Sequence, residues 1–396
     1  MLPLSGMKVL DISQLLPGPF CTWILAEFGA EVLRLEPLNG ESGHRLPPTI
    51  GTTSLFCMAL NRGKQSILID LKQEEGAQIF SQLASGSDVL VEGFRPGTMD
   101  RLGLGYEQLR KINPRLVYCA ITGYGQDGPR CHTVGHDLNY LAVSGILGMQ
   151  AEVAAPGLIP VQIADLGGGA WPAIAGILLA LSLREKTGTG SFVDISMLDG
   201  LLAWMAPFAG QADCPWTRHP MLRGELACYN LYSTADGRYL SVGCVEPKFW
   251  RALCKALGHE EWIPRQLETG KAQEQIRRDL QMIFAGRSAE EWRQLFSGVE
   301  TCVEVVLSPE EMQADPQVLQ RGSVYTDEKE NPALRHVRVP IRISGSEPNA
   351  YSAPMPGQDT ESVLRRLGYS QQQIGELIRR RVVAVSLAAD TATNGH

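Results

Sequence analysis

The residue types best suited to proton transfer stand at the two ends of residues 135–169. An imidazole, His136, lies near the start in the motif Gly-His-Asp-Leu-Asn-Tyr, and a carboxylate, Asp165, lies near the end. If the two face each other across one pocket, they suit the transfer of a proton to and from a substrate. A turn with a helix cap is the other interpretation of such a pair, and spacing alone leaves both open.

Three glycines, Gly167, Gly168 and Gly169, follow Asp165 and precede the uncharged run 170–183. The run is too short to span a bilayer and predicts a buried core helix. Asp165 would then lie on the turn that leads into this helix, where free N–H groups and the helix dipole favour negative charge. The glycines would let a ligand approach the backbone closely, and their N–H groups are candidate oxyanion donors. Tight packing without a ligand is the alternative.

Length and composition limit the class of protein. With 396 residues, 20% of them charged, the chain is expected to hold two globular domains. A net charge of −7 argues against nucleic acid or a membrane surface as the main partner. Nine cysteines without a C-x-x-C pair indicate reduced thiols, and with no signal peptide they predict a cytoplasmic location. The scattered histidines indicate no metal site.

Strands alternate with helices over the first 125 residues, which predicts a doubly wound, Rossmann-like parallel sheet. The predicted strands are 7–13, 32–36, 66–71, 88–94 and 116–122. No G-x-G-x-x-G follows the first strand, so a nicotinamide or flavin cofactor is not expected. Ligands of such sheets gather at the strand ends, and cationic residues there suit phosphate groups. These residues are Arg62, Lys64, Arg95 and Arg101; a solvated loop is the alternative for each.

The rest of the chain predicts a second, smaller domain. A helix is expected over 192–206, and several prolines mark the residues that follow as a linker. The predicted organisation is a large Rossmann-like domain over 1–205, a linker over 206–224, a small α/β domain over 225–322, a C-terminal segment over 323–385 that returns to the large domain, and a disordered tail over 386–396.

Several phrases resemble the family III CoA-transferase superfamily, and within it the alpha-methylacyl-CoA racemases. They run nearly end to end and include PLSGMKVLDIS, LLPGPFCTWILAEFGAEVLRLE, VEGFRPGTMDRLGLGYEQL, GHDLNYLAVSGILG, IADLGGG and TADGRYLSVGCVEPKFW. The resemblance implies a CoA-thioester enzyme with a large and a small domain. It also implies an interlocked, ring-like homodimer whose active site lies between the large domain of one chain and the small domain of the other.

The resemblance also implies roles for individual residues. Asp165 would be the nucleophile of a transferase or one acid–base group of a racemase, with His136 as the other. Asp137 and Glu246 would orient His136 through hydrogen bonds. Coenzyme A, as part of the substrate, would be held by Leu15, Arg62, Lys64, Phe94, Arg95, Arg101 and Leu102. No separate cofactor is required.

Racemisation requires two groups on opposite faces of an α-carbon, whereas CoA transfer requires one exposed carboxylate. His136 therefore favours a racemase of 2-methylacyl-CoA thioesters that works through an enolate. A CoA-transferase acting through an aspartyl-CoA thioester on Asp165 is the alternative, and a silent acyl-CoA-binding protein is the third. Val161 departs from the asparagine that the racemases carry four residues before the shared aspartate.

Overall fold

The computed structural model describes residues 2–50, 53–151, 157–208, 220–326, 334–346 and 352–386. The described residues form two compact units. The first contains the residues up to Gly148, those from 157 to Pro207, and those from Ser323 onward. The second contains the described residues from Phe208 to Gly322 together with Met149–Ala151. The predicted tail lies outside the described residues except for Ser386, as does most of the predicted linker.

Within these residues the strands are, in chain order, β1 (Lys8–Asp11), β2 (Glu31–Glu36), β3 (Thr49–Ile50), β4 (Thr53–Ser54), β5 (Lys64–Ile69), β6 (Val89–Glu92), β7 (Val117–Thr122), β8 (Phe192–Ser196), β9 (Tyr229–Ser233), β10 (Tyr239–Gly243), β11 (Val303–Val305), β12 (Val324–Thr326), β13 (Arg335–Val337) and β14 (Val383–Ala384).

The α-helices are α1 (Pro17–Glu27), α2 (Leu55–Leu60), α3 (Glu74–Ser85), α4 (Thr98–Arg101), α5 (Tyr106–Ile112), α6 (Asp137–Val143), α7 (Ile146–Ala151), α8 (Trp171–Thr187), α9 (Met197–Trp204), α10 (Pro247–Leu257), α11 (Lys271–Phe284), α12 (Ala289–Phe296), α13 (Pro309–Ala314), α14 (Pro316–Arg321), α15 (Thr360–Arg366) and α16 (Gln371–Arg379). A π-helical segment, Ala164–Ala170, leads directly into α8.

A seven-stranded sheet with the order β14-β5-β2-β1-β6-β7-β8 forms the centre of the first unit. All neighbouring strands are parallel except β14, which pairs antiparallel with β5 at one edge. If the other six strands are numbered one to six as they occur in the chain, their order across the sheet is 3-2-1-4-5-6, which is the Rossmann order. The strand order reverses between β1 and β6, and ligands of such sheets bind beyond the carboxyl ends of these two strands. The prediction of an α/β fold with a large, mostly parallel sheet is confirmed.

The two faces of this sheet are covered by different helices because side chains alternate along each strand. Val9, Val91 and Cys119 face one cluster of buried residues with α1 and α8. Leu10 and Leu90 face the opposite cluster with α3, α15 and α16. The near-continuous apolar sequence of these strands reflects burial on both faces.

The second unit contains a three-stranded sheet with the order β11-β10-β9, in which both pairs are antiparallel. Its core includes Trp250 on α10, Phe284 on α11 and Trp292 on α12. The three helices are amphipathic, and α12 begins with a capping box in which Ser288 and Glu291 bond reciprocally to each other's backbone. A small antiparallel sheet with helices therefore stands where the sequence predicts a smaller α/β domain.

The helix expected over 192–206 is wrong in its first part, where the structure has strand β8, and helix α9 follows from Met197. Val193 and Ile195 are β-branched residues that favour a strand, and β8 pairs with β7 along its full length. Residues 192–206 suggest one continuous helix because α9 begins at the residue that follows β8, with no turn residues between the two. Ser196 ends the strand and caps the helix by accepting the N–H of Asp199.

The helix that contains Asp165 runs from Ala164 to Thr187, 24 residues, so it extends beyond the predicted apolar run. Arg184, the first charged residue after that run, lies within the helix, and its guanidinium bonds the Asp88 carboxylate at 3.0 Å. Among the described residues this helix alone could cross a bilayer by length and composition, and half of its most apolar window is buried inside the protein.

Candidate functional site

A cavity of about 460 Å³ in the first unit brings His136 and Asp165 together. It lies beyond the carboxyl ends of β1 and β6, where the strand order reverses. Its lining consists of Gln14, Leu15, Pro17, Gly18, Gly93, Phe94, Arg95, Pro96, Ile121, Thr122, Gly123, Cys131, Thr133, Val134, Gly135, His136, Asn139, Tyr140, Asp165 and Met197. The imidazole and the carboxylate thus face one space, as the acid–base interpretation requires.

His136 is positioned by the first turn of α6, which it precedes as the N-cap residue. Its N–H donates to the side-chain oxygen of Asn139 at 3.0 Å, and the N–H of Asn139 donates back to the carbonyl of His136 at 2.8 Å. The hydroxyl of Tyr140 donates to the Gly135 carbonyl at 2.6 Å. These bonds fix the backbone on both sides of the histidine, while its side chain stays exposed.

Asp137 is half-buried and caps the helix that contains Asp165. Its Oδ1 accepts the N–H groups of Ala164 at 2.6 Å and of Asp165 at 3.0 Å. A carboxylate is well suited to such free N–H groups at a helix start. Asp137 therefore joins the start of α6, with His136, to the start of the helix that contains Asp165.

Burial is the largest cause of a raised pKa at Asp165, which reaches about 6, and the neighbouring Asp137 carboxylate raises it further. The nearby His136 acts in the opposite direction. A carboxyl group with this pKa exchanges a proton readily near neutral pH, as acid–base catalysis requires.

The three glycines pack against α9 and, within the described chain, do not line the cavity, so their proposed oxyanion role is corrected. A Cβ at Gly167 would lie 2.2 Å from the Trp204 ring, and one at Gly168 would lie 2.4 Å from the Met197 carbonyl. At Gly169 it would meet the Met197 side chain at 2.9 Å. All three are buried, and they let two helices approach closely. Asp165 itself lies in the first turn of its helix rather than in a preceding turn.

A second cavity, also about 460 Å³, adjoins the first at the same edge of the sheet and shares Gln14 and Phe94 with it. Its lining consists of Ile12, Ser13, Gln14, Leu35, Glu36, Pro37, Leu38, Asn39, Glu41, Ile69, Asp70, Leu71, Lys72, Phe94, Thr98, Arg101, Leu102 and Arg381. Most of the surface of this cavity is apolar, although only eight of its eighteen lining residues are, and three cationic residues and three carboxylates also line it. Of the residues predicted to hold CoA, Leu15 and Arg95 line the first cavity, Phe94 lines both, and Arg101 and Leu102 line the second.

Arg62 lines neither cavity, so its predicted contact with CoA is corrected. It is 2% exposed and stacks over Trp23 at 4.7 Å. Its Nη2 donates to the Val337 carbonyl at 3.0 Å and lies 3.4 Å from Glu27 Oε1. The guanidinium therefore joins the C-terminal segment to the large sheet domain.

Lys64 is likewise buried away from both cavities. Its Nζ donates to Asp11 at 3.1 Å, to the Pro19 carbonyl at 3.0 Å and to the Asn61 side chain at 3.0 Å. An ammonium group has three hydrogens to donate, and these three acceptors use them all. Lys64 thus stabilises the sheet and leaves no donor for a phosphate.

Glu246 lies in the second unit, where it is exposed and precedes α10. It does not line the first cavity among the described residues. Its predicted role beside His136 stays a prediction.

Most lining residues of the two cavities were not predicted from the sequence, and Gln14, Lys72 and Arg381 are among them. The first two follow the carboxyl ends of β1 and β5, so the rule that ligands gather at strand ends could have identified them. Arg381 comes from the C-terminal segment, more than three hundred residues away in sequence from Lys72, and carries no local signal. No group of three or more His, Cys, Asp or Glu side chains in the described part of the chain is arranged to hold a metal ion.

Comparison with known proteins extends these observations. The model of CoA-transferase family III matches residues 4–360. The chain is 36% identical to the alpha-methylacyl-CoA racemase of Mus musculus, over 96% of this chain and 97% of the relative. It is 34% identical to the succinyl-CoA:glutarate CoA-transferase of Homo sapiens, over 96% and 90%. The crystal structure of a CAIB/BAIF family protein from Brucella suis aligns with a TM-score of 0.80 and 27% identity, over 92% of this chain and 99% of that one.

Proposed function

Because this chain belongs to CoA-transferase family III, whose relatives include both racemases and transferases, we propose that it is a racemase of α-substituted acyl-CoA thioesters. The observation that supports this choice is the pairing of His136 with Asp165 across one cavity. A transferase needs the carboxylate alone, whereas a racemase needs a second proton-transferring group.

In the proposed reaction, one of the two side chains removes the α-proton of the thioester and the other returns a proton to the opposite face. The α-carbon passes through a planar enolate, so its configuration is lost. The raised pKa of Asp165, about 6, supports this role because the group can exist in either protonation state near neutral pH. Asp137 accepts a hydrogen bond from the Asp165 backbone, and its negative charge further raises the pKa of Asp165.

The two adjoining cavities fit the two ends of an acyl-CoA. The second cavity offers apolar walls for an adenine ring and Lys72, Arg101 and Arg381 for phosphates. Phe94 and Gln14, which line both cavities, mark the passage that the pantetheine arm would take toward His136. Apolar residues of the first cavity, such as Ile121 and Met197, would contact the acyl group.

We further propose that the chain acts as an interlocked homodimer, as the resemblance implies. On α8 the large apolar side chains of Leu178, Leu179 and Leu183 are exposed, 43%, 71% and 50% respectively. Exposed apolar residues grouped on one helix favour burial against a partner. In such a dimer, Glu246 from a second copy would approach His136.

Parallel assays of the two activities separate the two candidate functions. Chiral chromatography of a 2-methylacyl-CoA after incubation with enzyme measures racemisation, and transfer of CoA to added succinate measures the alternative. We expect racemisation without transfer, and a loss of about 10²–10⁴-fold in His136→Ala. His132→Ala is the matched control, because His132 is also exposed on the same loop but does not line the cavity.

Transfer of CoA to succinate that survives in His136→Ala and disappears in Asp165→Ala would establish the transferase instead. Asp165 would then be the nucleophile that forms an aspartyl-CoA thioester.

A further inference from the structure

Leu15, at the wall of the first cavity, has a left-handed backbone conformation with φ of +61°. Residues with a Cβ rarely adopt this region, because the Cβ approaches the following carbonyl oxygen. Leu15 lies in the loop between β1 and α1, next to Gln14, which lines both cavities. Something in the surrounding structure must therefore hold this loop in place.

The carboxylate of Glu41 is the group that bonds to this backbone. Glu41 is 5% exposed, and its Oε2 accepts the Leu15 N–H at 3.2 Å. Its Oε1 lies 2.8 Å from Nη2 of Arg34, which is 1% exposed. A buried carboxylate held by a guanidinium is a stronger acceptor than a neutral group.

The same guanidinium also lies near Asp11, whose carboxylate bonds to the backbone of Ser13 at the start of the loop. Arg34 Nη1 lies 3.5 Å from Asp11 Oδ2, and Asp11 Oδ1 accepts the N–H of Ser13 at 3.0 Å. One buried arginine thus connects the two carboxylates that bond to the backbone of residues 13 and 15. Both carboxylates belong to elements outside the loop, Asp11 at the end of β1 and Glu41 beyond β2.

We infer that Glu41 is a positioning residue, whose carboxylate keeps Leu15 in its left-handed conformation and so fixes the wall along which the acyl-CoA lies. The inference rests on the proposed function insofar as the ligand is an acyl-CoA. It differs from a purely structural role, in which Glu41 only balances the charge of Arg34. Arg34 keeps Glu36 at 3.3 Å and Asp11 as partners when Glu41 is removed.

The test is a crystal structure of Glu41→Ala together with a double-mutant cycle on CoA affinity. Glycine adopts positive φ without the penalty of a Cβ, so Leu15→Gly lets the loop keep its conformation without Glu41. We expect Glu41→Ala to release Leu15 from the left-handed region and to weaken CoA binding roughly five- to thirtyfold, as measured by titration calorimetry. In the Leu15→Gly background the same change should weaken binding less than about threefold.

Three variants complete the design. Glu41→Gln keeps an oxygen that accepts the Leu15 N–H and should bind CoA within about threefold of the wild type. Glu41→Met fills the volume without accepting a hydrogen bond and substitutes for Glu41→Ala if that variant does not fold. Glu27→Ala is the matched control, because Glu27 is a buried carboxylate with an arginine partner in the same unit, and CoA affinity should not change.

Persistence of Leu15 at φ near +60° in Glu41→Ala or Glu41→Met would overturn the inference. The same holds if Glu41→Ala weakens CoA binding equally with and without Leu15→Gly. A wild-type protein that does not bind CoA would refute the proposed function, and the φ of Leu15 in the variants would still decide the role of Glu41.

Discussion

Replacing the Asp165 carboxylate with an amide should stabilise the folded protein at alkaline pH while it abolishes activity. Burial and the Asp137 charge raise the pKa of Asp165 from its ordinary 3.8 to about 6. The folded protein therefore binds this proton more tightly than the unfolded chain. The ionised carboxylate lowers stability above pH 6, and this cost declines as the pH falls through the folded pKa toward the unfolded one.

The magnitude follows from the size of the shift. A difference of about two pKa units corresponds to about 3 kcal/mol, since each unit is worth about 1.4 kcal/mol. Asp165→Asn should then raise the free energy of unfolding by up to about 3 kcal/mol at about pH 8 and by only about 1 kcal/mol at about pH 4.5. A gain of stability on loss of a functional group is the expected trade-off at a site built for chemistry.

Chemical denaturation at the two pH values measures this difference. Asp127→Asn, which removes an exposed carboxylate, is the matched control, and its effect should stay within about 0.5 kcal/mol at both pH values. If Asp165→Asn changes stability by the same amount at both pH values, or lowers it at about pH 8, burial does not raise the pKa of this carboxyl group.

Three further predictions follow from the site. Asp137→Ala removes the cap of the helix that contains Asp165, so it should cost about 1–2 kcal/mol of stability. It also removes a neighbouring negative charge, so the pKa of Asp165 should fall, and a pH–rate profile should show its acidic limb displaced to lower pH. Gly167→Ala places a Cβ 2.2 Å from an indole ring on α9, and thermal denaturation should show a loss of at least about 1–3 kcal/mol. Gly148→Ala, whose Cβ would meet nothing within 4 Å, is its control and should be close to neutral. Arg101→Ala should weaken binding of an acyl-CoA about tenfold, as expected for loss of a charge-assisted phosphate contact, and leave the affinity for the corresponding acyl-pantetheine unchanged in the same titration.

The main sheet could be predicted from the sequence because its strands are buried on both faces and are therefore apolar throughout. The site could be predicted in part because strand order determines where ligands bind, and the cavities lie beyond the ends of β1 and β6 as that rule requires. The pairing of His136 with Asp165 in one cavity depends on Asp137, which bonds the backbone of a helix 27 residues away. A contact of that kind has no local signature.

The wrong predictions from the sequence also arise from contacts between residues that are far apart in the chain. Arg62 and Lys64 look like phosphate ligands because cations beside glycine at a strand usually are exposed. Their partners, among them Glu27 and Asp11, come from distant parts of the chain, and only the folded structure brings these carboxylates close enough to bury both cations. The triple glycine looks like a ligand loop because sequence does not show that α9 packs across it.

Exchange of the α-proton is the most direct test of the proposed racemase. A 2-methylacyl-CoA of one configuration is incubated with the enzyme in heavy water without a second carboxylic acid, and mass spectrometry and chiral chromatography follow the thioester. The proposed racemase activity predicts enzyme-dependent incorporation of one deuterium at the α-carbon, with loss of optical activity and a strong decrease of both in His136→Ala. Absence of α-deuteration, together with transfer of CoA to succinate once that acid is added, would contradict it.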